Sequence, residues 1–430
     1  MSKSTRSATK SKTKQNRVYL DNNATTETCK SSIDATIKWL RDPTNPSSDS
    51  KLGLESRKMI DSASKYILAH CSAKNYSVIF TSGASESNSM IIRSTVEAYL
   101  KHKRIKPHIV TSLTEHTSIL KCCDTLRQLG MLDVTYVSPG ISGCIPPSLI
   151  KRAIQPNTCL ISIMAANNEL GCINNLKEIG DYAHESKIPF HSDFVQIFGK
   201  FKYNLPNNNI DAISVSFHKL HGPMGCGLLI INNDLVEGYG LDSQIAGTQQ
   251  GGLRGGTQNV AAIAGAIAAM KHTFLQRNEK NKRLYDLRKY TMDSLSKKFH
   301  IGEYKEYAGT ESPKDVKPLE IVFLGQMNKT YALPNTLLIA VAKNEGPPFC
   351  NVKLKKALDK SGVIVSIGSA CNTSSSKASH VLNAIKAPDV IKKGVIRVSF
   401  CDTTTKKDIQ CFIDTFVKAV CAQVPNSYLP

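Results

Sequence analysis

The sequence lacks any apolar run long enough to cross a membrane. The longest candidate, residues 260–270, is rich in alanine and falls short of the roughly 18 to 20 apolar residues that a membrane-spanning helix needs. We interpret it as a packed helix and expect no membrane association. Apolar residues make up 41% of the 430-residue chain and charged residues 21%, as in an ordinary soluble globular protein.

No CxxC pair occurs among the 13 cysteines, which excludes the usual structural zinc motifs. An odd number of cysteines scattered through a long chain does not form a disulfide framework either. The pattern is typical of a reducing compartment, where most cysteines act as small apolar core residues. We therefore predict no metal site and a cytoplasmic protein.

Acidic residues are also scarce, with 35 against 55 basic ones and a formal net charge of +20. Residues 1–17 contain lysines and arginines but no acid and almost no apolar side chain, so we predict a disordered basic tail. The tail lacks the apolar core of a secretory signal, and a mitochondrial presequence is disfavoured because an apolar helix face is missing. The charge favours acidic partners or, at most, weak non-specific contact with nucleic acid, since no zinc-finger spacing or aromatic–basic motif occurs.

Short β-branched runs alternate with amphipathic stretches in the first half of the chain. Helices are predicted over stretches such as 117–129 and 176–186, and strands over 77–81, 108–112, 134–138, 159–164, 189–193, 212–217 and 227–231. This alternation is typical of an α/β fold, in which helices cover a mainly parallel sheet.

The second half has a different pattern, which indicates a smaller α+β domain. A bent or broken helical region, 258–298, leads into it, and residues 302–318, rich in Glu, Lys, Gly and Pro, are predicted to form an exposed insertion. Strands are predicted over 319–324, 336–341, 363–367 and 395–400, and helices over 352–359 and 406–420. We place the large domain at 18–270 and the small domain at 271–430, with residues 18–40 able to pack with the small domain.

Polar clusters follow five of the predicted strands. They are TSGASES (81–87), TEH (114–116), NNE (167–169), SDFVQ (192–196) and HK (218–219). Catalytic groups of open α/β sheets collect beyond the carboxyl ends of the strands. Polar clusters at that position on five strands predict a single shared site.

TSGASES predicts an anion site, because Gly83 occupies the turn into a helix whose first amide groups, with Ser85, can bind phosphate. The alternative is a simple helix cap by Ser82 or Ser85. Asp193 ends a buried strand, where a carboxylate needs a cation or a protonated nitrogen as its partner. Capping a helix is the alternative for Asp193 as well.

Lys219 ends another β-prone run, although lysine is rarely buried without a partner. A Schiff base with an aldehyde removes its charge, and such lysines are paired with an aspartate on a pyridinium nitrogen. Asp193, Lys219 and the phosphate site together predict pyridoxal 5'-phosphate (PLP) as the cofactor. His116 is placed to stack on the ring, and the alternative is a histidine that only starts a helix.

Short motifs occur in a fixed order from residue 18 to about 422: YLDNNATT (19–26), NPSS (45–48), TSGASESN, TEH, NNELG, HKLHGP, GGLRGGT (251–257), GSAC (368–371) and IRVSF (396–400). The ordered set resembles that of class V aminotransferase-fold enzymes, and of NifS/IscS-type cysteine desulfurases in particular. The resemblance implies the PLP-dependent transferase fold type I, with a seven-stranded sheet in the large domain. It also implies a homodimer and L-cysteine as the substrate.

The resemblance further implies roles for individual residues. Lys219 binds the cofactor as a Schiff base, Asp193 pairs with its pyridinium nitrogen and Gln196 binds its phenolic oxygen. His116 stacks on the ring, and Asn168 contacts both cofactor and substrate. The other residues implied are Ala84, Ser85, Ser216, His218 and, from the neighbouring subunit, Thr257 for the phosphate, and Asn45 and Arg397 for the substrate.

Cys371, in GSACNTSSSKAS, resembles the family's nucleophile on a mobile loop. The implied reaction converts L-cysteine to L-alanine and leaves a persulfide on Cys371 for a sulfur-acceptor protein of iron–sulfur or thiolation pathways. An ordinary buried thiol is the alternative, which the polar flank disfavours. Two other functions stay open: a PLP lyase acting on selenocysteine or cysteine sulfinate, and a catalytically weak family member that acts as a binding protein.

Several residues depart from the family pattern without removing a catalytic group: Ser50, Ala165, Phe217, His221, Gly251 and Asn372. With the insertion and the basic tail, they indicate a divergent lineage, such as the NifS-like proteins of large DNA viruses. Partner choice, rate and substrate fit are the properties that these departures leave open.

Overall fold

The strands alternate with helices along the chain. The structure is a computed structural model, and it describes residues 17–311, 313, 314, 316–367 and 379–428. Its strands are β1 (Val18–Tyr19), β2 (Tyr76–Thr81), β3 (His108–Ser112), β4 (Asp133–Val137), β5 (Thr158–Ser162), β6 (Phe190–Asp193), β7 (Ala212–Ser216), β8 (Gly227–Asn232), β9 (Ile301–Gly302), β10 (Leu319–Leu324), β11 (Thr336–Lys343), β12 (Val363–Ile364) and β13 (Val395–Ser399).

Most helices are long enough to cover a face of a sheet. They are α1 (Lys30–Leu40), α2 (Lys51–His70), α3 (Ala84–Lys103), α4 (Thr117–Gln128), α5 (Pro147–Ala153), α6 (Leu176–Glu185), α7 (Asn233–Tyr239), α8 (Val260–Phe274), α9 (Arg277–Ser296), α10 (Asn351–Lys360), α11 (His380–Ala384), α12 (Asp389–Lys392) and α13 (Lys406–Cys421). None of these helices, taken over the described residues, is long and apolar enough to cross a membrane.

A seven-stranded sheet forms the centre of the first half, in the order β2-β8-β7-β6-β5-β3-β4. All strands but β8 run parallel, and β8 pairs antiparallel with both of its neighbours. Alternate side chains enter opposite cores: Ile109 and Leu160 pack on one face, Val110 and Ile161 on the other. Burial on both faces explains the continuous apolar runs of these strands. The predicted α/β class and mainly parallel sheet are confirmed.

The second half forms a four-stranded sheet in the order β13-β11-β10-β9, next to a two-stranded sheet of β1 and β12. Val18 and Leu20 pack into the same core as Phe412 of α13. The beginning of the described chain therefore belongs structurally to this smaller sheet region. Helix α1, in contrast, packs against α8 on the large sheet's side.

Two expectations for the second half have different outcomes. The long helical region is broken, as predicted, because α8 ends at Phe274 and the backbone turns left-handed at Gln276 before α9. The exposed insertion predicted at 302–318 is confirmed only in part, because many of its described residues are exposed but Tyr304 and Tyr307 are buried. Tyr307 is buried and its hydroxyl donates to Glu320 Oε2 at 2.6 Å, while the Tyr304 hydroxyl donates to the Ile385 carbonyl at 2.9 Å. These aromatic side chains anchor a segment whose composition is otherwise polar.

A partly buried polar cluster around Asp402 joins the two halves. The carboxylate of Asp402, which follows β13, lies 3.1 Å from His221 Nε2, 3.2 Å from His272 Nε2 and 3.2 Å from Lys280 Nζ. Burial alone would raise the pKa of Asp402, but hydrogen bonds and charges from His221 and Lys280 outweigh it and lower that pKa strongly. The cluster ties the turn after β7 and the α8–α9 junction to the small sheet.

We expect Asp402→Asn to lower the free energy of unfolding at pH 7 by roughly 1 to 3 kcal/mol, because it removes the counter-charge of Lys280 and a charged hydrogen-bond acceptor of His221 and His272. The lowered pKa of Asp402 means that this contribution is present above the unfolded carboxyl pKa, about 4, and is lost as the pH falls below it. Urea unfolding at pH 7 and at pH 3.5 should therefore show a deficit that shrinks in acid. Asp34→Asn, at an exposed pair with Lys30, is the control and should cost under about 0.5 kcal/mol. A deficit that does not change with pH would contradict the ion-pair account.

Candidate active site

A cavity of about 700 Å³ lies at the carboxyl ends of the parallel strands. All five polar clusters of the first half contribute to its wall. The small sheet adds Arg397 of β13 and His380 of α11, and the residues after β1 add Asn23, Ala24 and Thr25. Sequence analysis predicted one shared site for the five strand ends, and the structure brings these residues together.

Asp193 ends β6 and is 4% exposed. Two neutral donors hold its carboxylate: Asn88 Nδ2 at 2.9 Å from Oδ2, and the Val195 amide at 3.0 Å from Oδ1. Asn88 is fully buried on α3, and sequence analysis gave it no role although it stands inside the TSGASESN motif. The bond from the Val195 amide is of the kind expected if Asp193 only capped a turn of the chain, which was the alternative role. The carboxylate also lines the cavity.

Lys219 lies in a single helical turn that follows β7. Its Nζ donates to the carbonyl oxygens of Asn23 at 2.7 Å and Ala24 at 2.6 Å. The turn is tight, since a Cβ on Gly222 would lie 2.8 Å from the Phe217 side chain. The half-buried ammonium thus meets carbonyl dipoles at the cavity wall.

The N-terminus of α3 forms one end of the cavity. Its first amide, of Ala84, donates to Ser216 Oγ at 3.2 Å, and Ser85 lines the cavity beside it. Glu86 also lies here, but Arg254 pairs with it at 2.9 Å. Burial would raise the pKa of Glu86, and the contacts with Arg254 and Ser82 lower it instead. Sequence analysis missed this pair. Because Arg254 pairs with Glu86, the amide groups and hydroxyls at this end of the cavity can still bind an anion.

His116 caps α4, where its Nδ1 accepts the amide of Ser118 at 3.2 Å. Its ring faces the cavity, and partial loss of hydration lowers its pKa despite the attraction of Asp193.

His218 Nδ1 lies 3.1 Å from Thr25 Oγ1. Burial and then the charge of Lys219 lower the pKa of His218 to about 4, so this imidazole is neutral at pH 7.

Arg397 enters from β13 and is 3% exposed. Its Nη2 pairs with Asp21 at 2.6 Å, and its Nη1 donates to the Asn168 carbonyl at 3.1 Å. Its Nε is buried and finds no hydrogen-bond acceptor within the described parts of the chain. Asp21 is a further residue that sequence analysis missed, although it stands inside the YLDNNATT motif.

The remaining predicted residues differ in location. Gln196 and Asn168 line the cavity, and Gln196 Nε2 donates to the Asn23 carbonyl at 3.2 Å. Asn45 lies apart, exposed near the start of α2, where it accepts the Ser47 amide. Thr257 is exposed outside the cavity, and Cys371 lies outside the described residues.

The described residues contain no group of three or more His, Cys, Asp or Glu that could hold a metal ion.

The model of the aminotransferase class-V family matches residues 18–412 of this chain. The chain belongs to the aminotransferase class-V family. A cysteine desulfurase IscS of Dictyoglomus turgidum is 34% identical over 94% of this chain and 94% of its own length. Solved structures of similar shape include a NifS-like protein (TM-score 0.79, 27% identity, 94% of this chain and 99% of that one) and SspA in complex with cysteine (TM-score 0.70, 29% identity, 90% and 99%).

In this class-V chain, two buried glutamates hold the residues that follow the segment 368–378. Ser379 starts α11, and its Oγ donates to Glu169 Oε2 at 2.8 Å. His380 Nε2 lies 2.9 Å from the carbonyl oxygen of Glu115. Both glutamates belong to strand-end clusters, and both are at most 1% exposed. The chain is thereby fixed to the cavity wall eight residues after Cys371 in the sequence.

Glu115 is protonated at neutral pH. Burial raises its pKa to about 8, against the lowering effect of Ser112 and the Met164 amide. Ser112 Oγ donates to its Oε1 at 2.6 Å, and Oε2 has no partner among the described residues. A neutral acid at this position avoids a second negative charge near Asp193.

We expect Glu115→Gln to gain stability relative to the natural protein as the pH rises. The raised pKa means that the unfolded chain ionises above about 4.5 while the folded chain stays protonated up to about 8, so the natural protein loses up to ~1.4 kcal/mol per pH unit in that window. The neutral amide has no such loss. Urea unfolding between pH 5 and pH 9 measures the difference.

The difference between the two proteins should grow up to about pH 8 and then level off. Glu55→Gln, on the exposed side of α2, is the control and should show no such trend. A constant difference across the range would mean that Glu115 is ionised in the folded protein.

Proposed function

We propose that this protein is a PLP-dependent cysteine desulfurase that converts L-cysteine to L-alanine and keeps the sulfur as a persulfide on Cys371. The observation that carries the proposal is the position of Lys219 and Asp193 on the wall of one cavity. The cysteine desulfurases among its relatives, at 34% identity over nearly the whole chain, support the choice of reaction. The SspA structure in complex with cysteine supports the choice of substrate.

The residues present fit PLP. Asp193, buried and held by the two neutral donors described above, can accept a hydrogen bond from a protonated pyridine nitrogen. The amides at the start of α3, with Ser85, Ser216 and His218, can bind its phosphate. Lys219 reaches the cavity from one side, and His116 faces it from another. Gln196 is available for the phenolic oxygen.

When bound, PLP supplies an electron sink for the bonds broken in the substrate. Lys219 holds the cofactor and then moves the α-proton of cysteine. The Cys371 thiolate attacks the substrate sulfur, so that an S–S bond forms and the C–S bond breaks. The electron pair of that bond stays on the substrate carbon, which takes a proton and leaves as alanine. One cysteine is thus converted to one alanine and one persulfide.

Arg397 binds the substrate carboxylate in this proposal. Its guanidinium already shares one nitrogen with Asp21 and another with the Asn168 carbonyl, which fixes its orientation. Arg397 lines the cavity, and a guanidinium held in a fixed orientation suits a carboxylate. Asn168 completes this end of the site, and Asn45 contacts substrate only if the segment before α2 approaches the cavity.

The functional unit is a homodimer, and a sulfur-acceptor protein takes the persulfide. Thr257 is exposed and lies outside its own cavity, as expected of a residue that completes the partner's phosphate site. Exposed apolar side chains of α1 and α2, namely Ile33, Ile37, Leu40, Leu52 and Leu54, give apolar surface that a partner subunit could cover. We place the protein in the cytoplasm, as the sequence predicts.

With dithiothreitol present to reduce the persulfide, the purified protein should release alanine and sulfide from L-cysteine, and it should absorb visible light as a PLP adduct. Lys219→Ala should lose the covalent adduct, because no other amine replaces the lysine, and its turnover should fall by at least ~10³-fold. Cys371→Ser should keep the adduct, lose most alanine formation and carry no added sulfur in mass spectra. Cys411→Ser, at an exposed cysteine of α13, is the matched control and should behave as the natural protein.

Added sulfur found mainly on another cysteine, together with full turnover by Cys371→Ser, would remove Cys371 from the mechanism and favour the lyase alternative. A protein that binds PLP but releases no alanine from cysteine would favour the binding-protein alternative.

Light scattering should give a dimer near twice the 47.1 kDa chain mass. Thr257→Ala should leave that mass unchanged but weaken PLP retention on dialysis, because it removes a single hydroxyl donor. Gln258→Ala, next to it in sequence, is the control. A monomer that retains PLP tightly would contradict the shared site.

A further inference from the structure

Cys144 and Cys172 lie side by side on two neighbouring segments. A Cβ on Gly143 would lie 3.1 Å from Cys172 Sγ, Cys144 Sγ is 3.5 Å from the Ile173 carbonyl, and the Ile145 amide donates to Asn174 Oδ1 at 2.8 Å. The two hydrogen bonds hold residues 144 and 145 along residues 173 and 174. The Cys144 thiol donates to the Ile173 carbonyl, and the side chains of Cys144 and Cys172 are in hydrogen-bonding contact.

The second segment belongs to a hairpin at the proposed active site. Ala166 pairs with Ile173, and the Asn167 amide donates to the Cys172 carbonyl at 2.9 Å. The turn between them carries Asn168 and Glu169, which line the cavity. Cys172 is therefore the last residue of a turn whose tip forms part of the site.

The two thiols differ in a way that suits redox chemistry. Cys144 is partly exposed and Cys172 is fully buried. The hydrogen bond from Cys172, with weaker ones from Ser142 and Gln326, lowers the pKa of Cys144 to about 7 against the effect of burial, and raises that of Cys172. A reactive cysteine needs thiolate character and access, and a second thiol in contact can resolve its oxidised form.

We propose that Cys144 and Cys172 form a reversible disulfide when the protein meets a hydroperoxide. The Cys144 thiolate attacks a peroxide oxygen, so that an S–O bond forms, the O–O bond breaks and the leaving oxygen takes a proton. The Cys172 sulfur then attacks the Cys144 sulfur, the S–S bond forms, and water leaves with the thiol proton. Two thiols are oxidised while one hydrogen peroxide is reduced to two waters. The bond pins the hairpin that carries Asn168 and Glu169.

The pair differs from the buried cysteines beside the large sheet. Cys122 and Cys123 are adjacent in α4, but burial raises the pKa of both. Burial likewise raises the pKa of Cys159 and Cys226. Exposed Cys411 has access to peroxide and serves as the internal reference.

The test treats the full-length Cys371→Ser protein with hydrogen peroxide at pH 7, which keeps persulfide chemistry out of the measurement. Non-reducing peptide mapping should find a linked pair containing Cys144 and Cys172, formed at least ~10-fold faster than Cys411 is oxidised. Dithiothreitol should reverse it. Oxidation of Cys144 to sulfinic acid with Cys172 still a free thiol, or oxidation no faster than that of Cys411, would overturn the proposal.

Two substitutions separate the hydrogen bond from the disulfide. Cys172→Ser keeps a donor, so Cys144 should react with iodoacetamide at pH 7 as fast as in the parent, but no linked pair can form. Cys172→Ala removes the donor, and alkylation of Cys144 should slow by at least ~5-fold as its pKa returns toward that of an ordinary thiol. Equal alkylation rates in the parent and both variants would show that Cys172 does not activate Cys144, and would overturn the assignment of roles.

Discussion

The contacts of residues 20–29, which we name the bridging segment, are the constraint on which the site depends. Lys219 donates to its carbonyl oxygens, and Thr26 exchanges hydrogen bonds with the turn of His218 and His221. On the other side, Asn22 and Asn23 bond to Ser399 and Thr336 of the small sheet. One short stretch of chain therefore sets the distance between Lys219, in the turn after β7, and Arg397 on β13.

The same segment explains how buried charges are tolerated here. Asp21 neutralises Arg397 at 2.6 Å, and carbonyl dipoles meet the ammonium of Lys219. Glu86 is paired with Arg254, and burial keeps Glu115 neutral at pH 7. Because unpaired buried charge is costly, this pairing leaves Asp193, held by neutral donors, as a carboxylate that a cationic ring nitrogen would stabilise. The chemistry of the site thus follows from the difference between the paired charges of Glu86 and Arg397 and the carboxylate of Asp193, which neutral groups hold.

Structural features could be predicted from the sequence where they depend on residues that are neighbours in the chain. The strands of the large sheet were predicted within two residues at each end, because each is a short apolar run between polar clusters. Lys219, Asp193 and His116 were found because they follow such runs directly. Asn88, Asp21 and Ser379 were missed, since each acts through a partner far away in the chain. Tyr307 was misplaced because a polar composition hid one aromatic anchor.

The sequence by itself determined the α/β class, the break between α8 and α9 and the family, since periodicity and ordered motifs are properties of neighbouring residues. Only the tertiary structure decided that Arg397 shares its guanidinium with Asp21, that Glu115 stays protonated and that Cys144 meets Cys172. These features arise where segments distant in sequence come together away from water. Burial and electrostatic pairing act through space, so no local pattern encodes them.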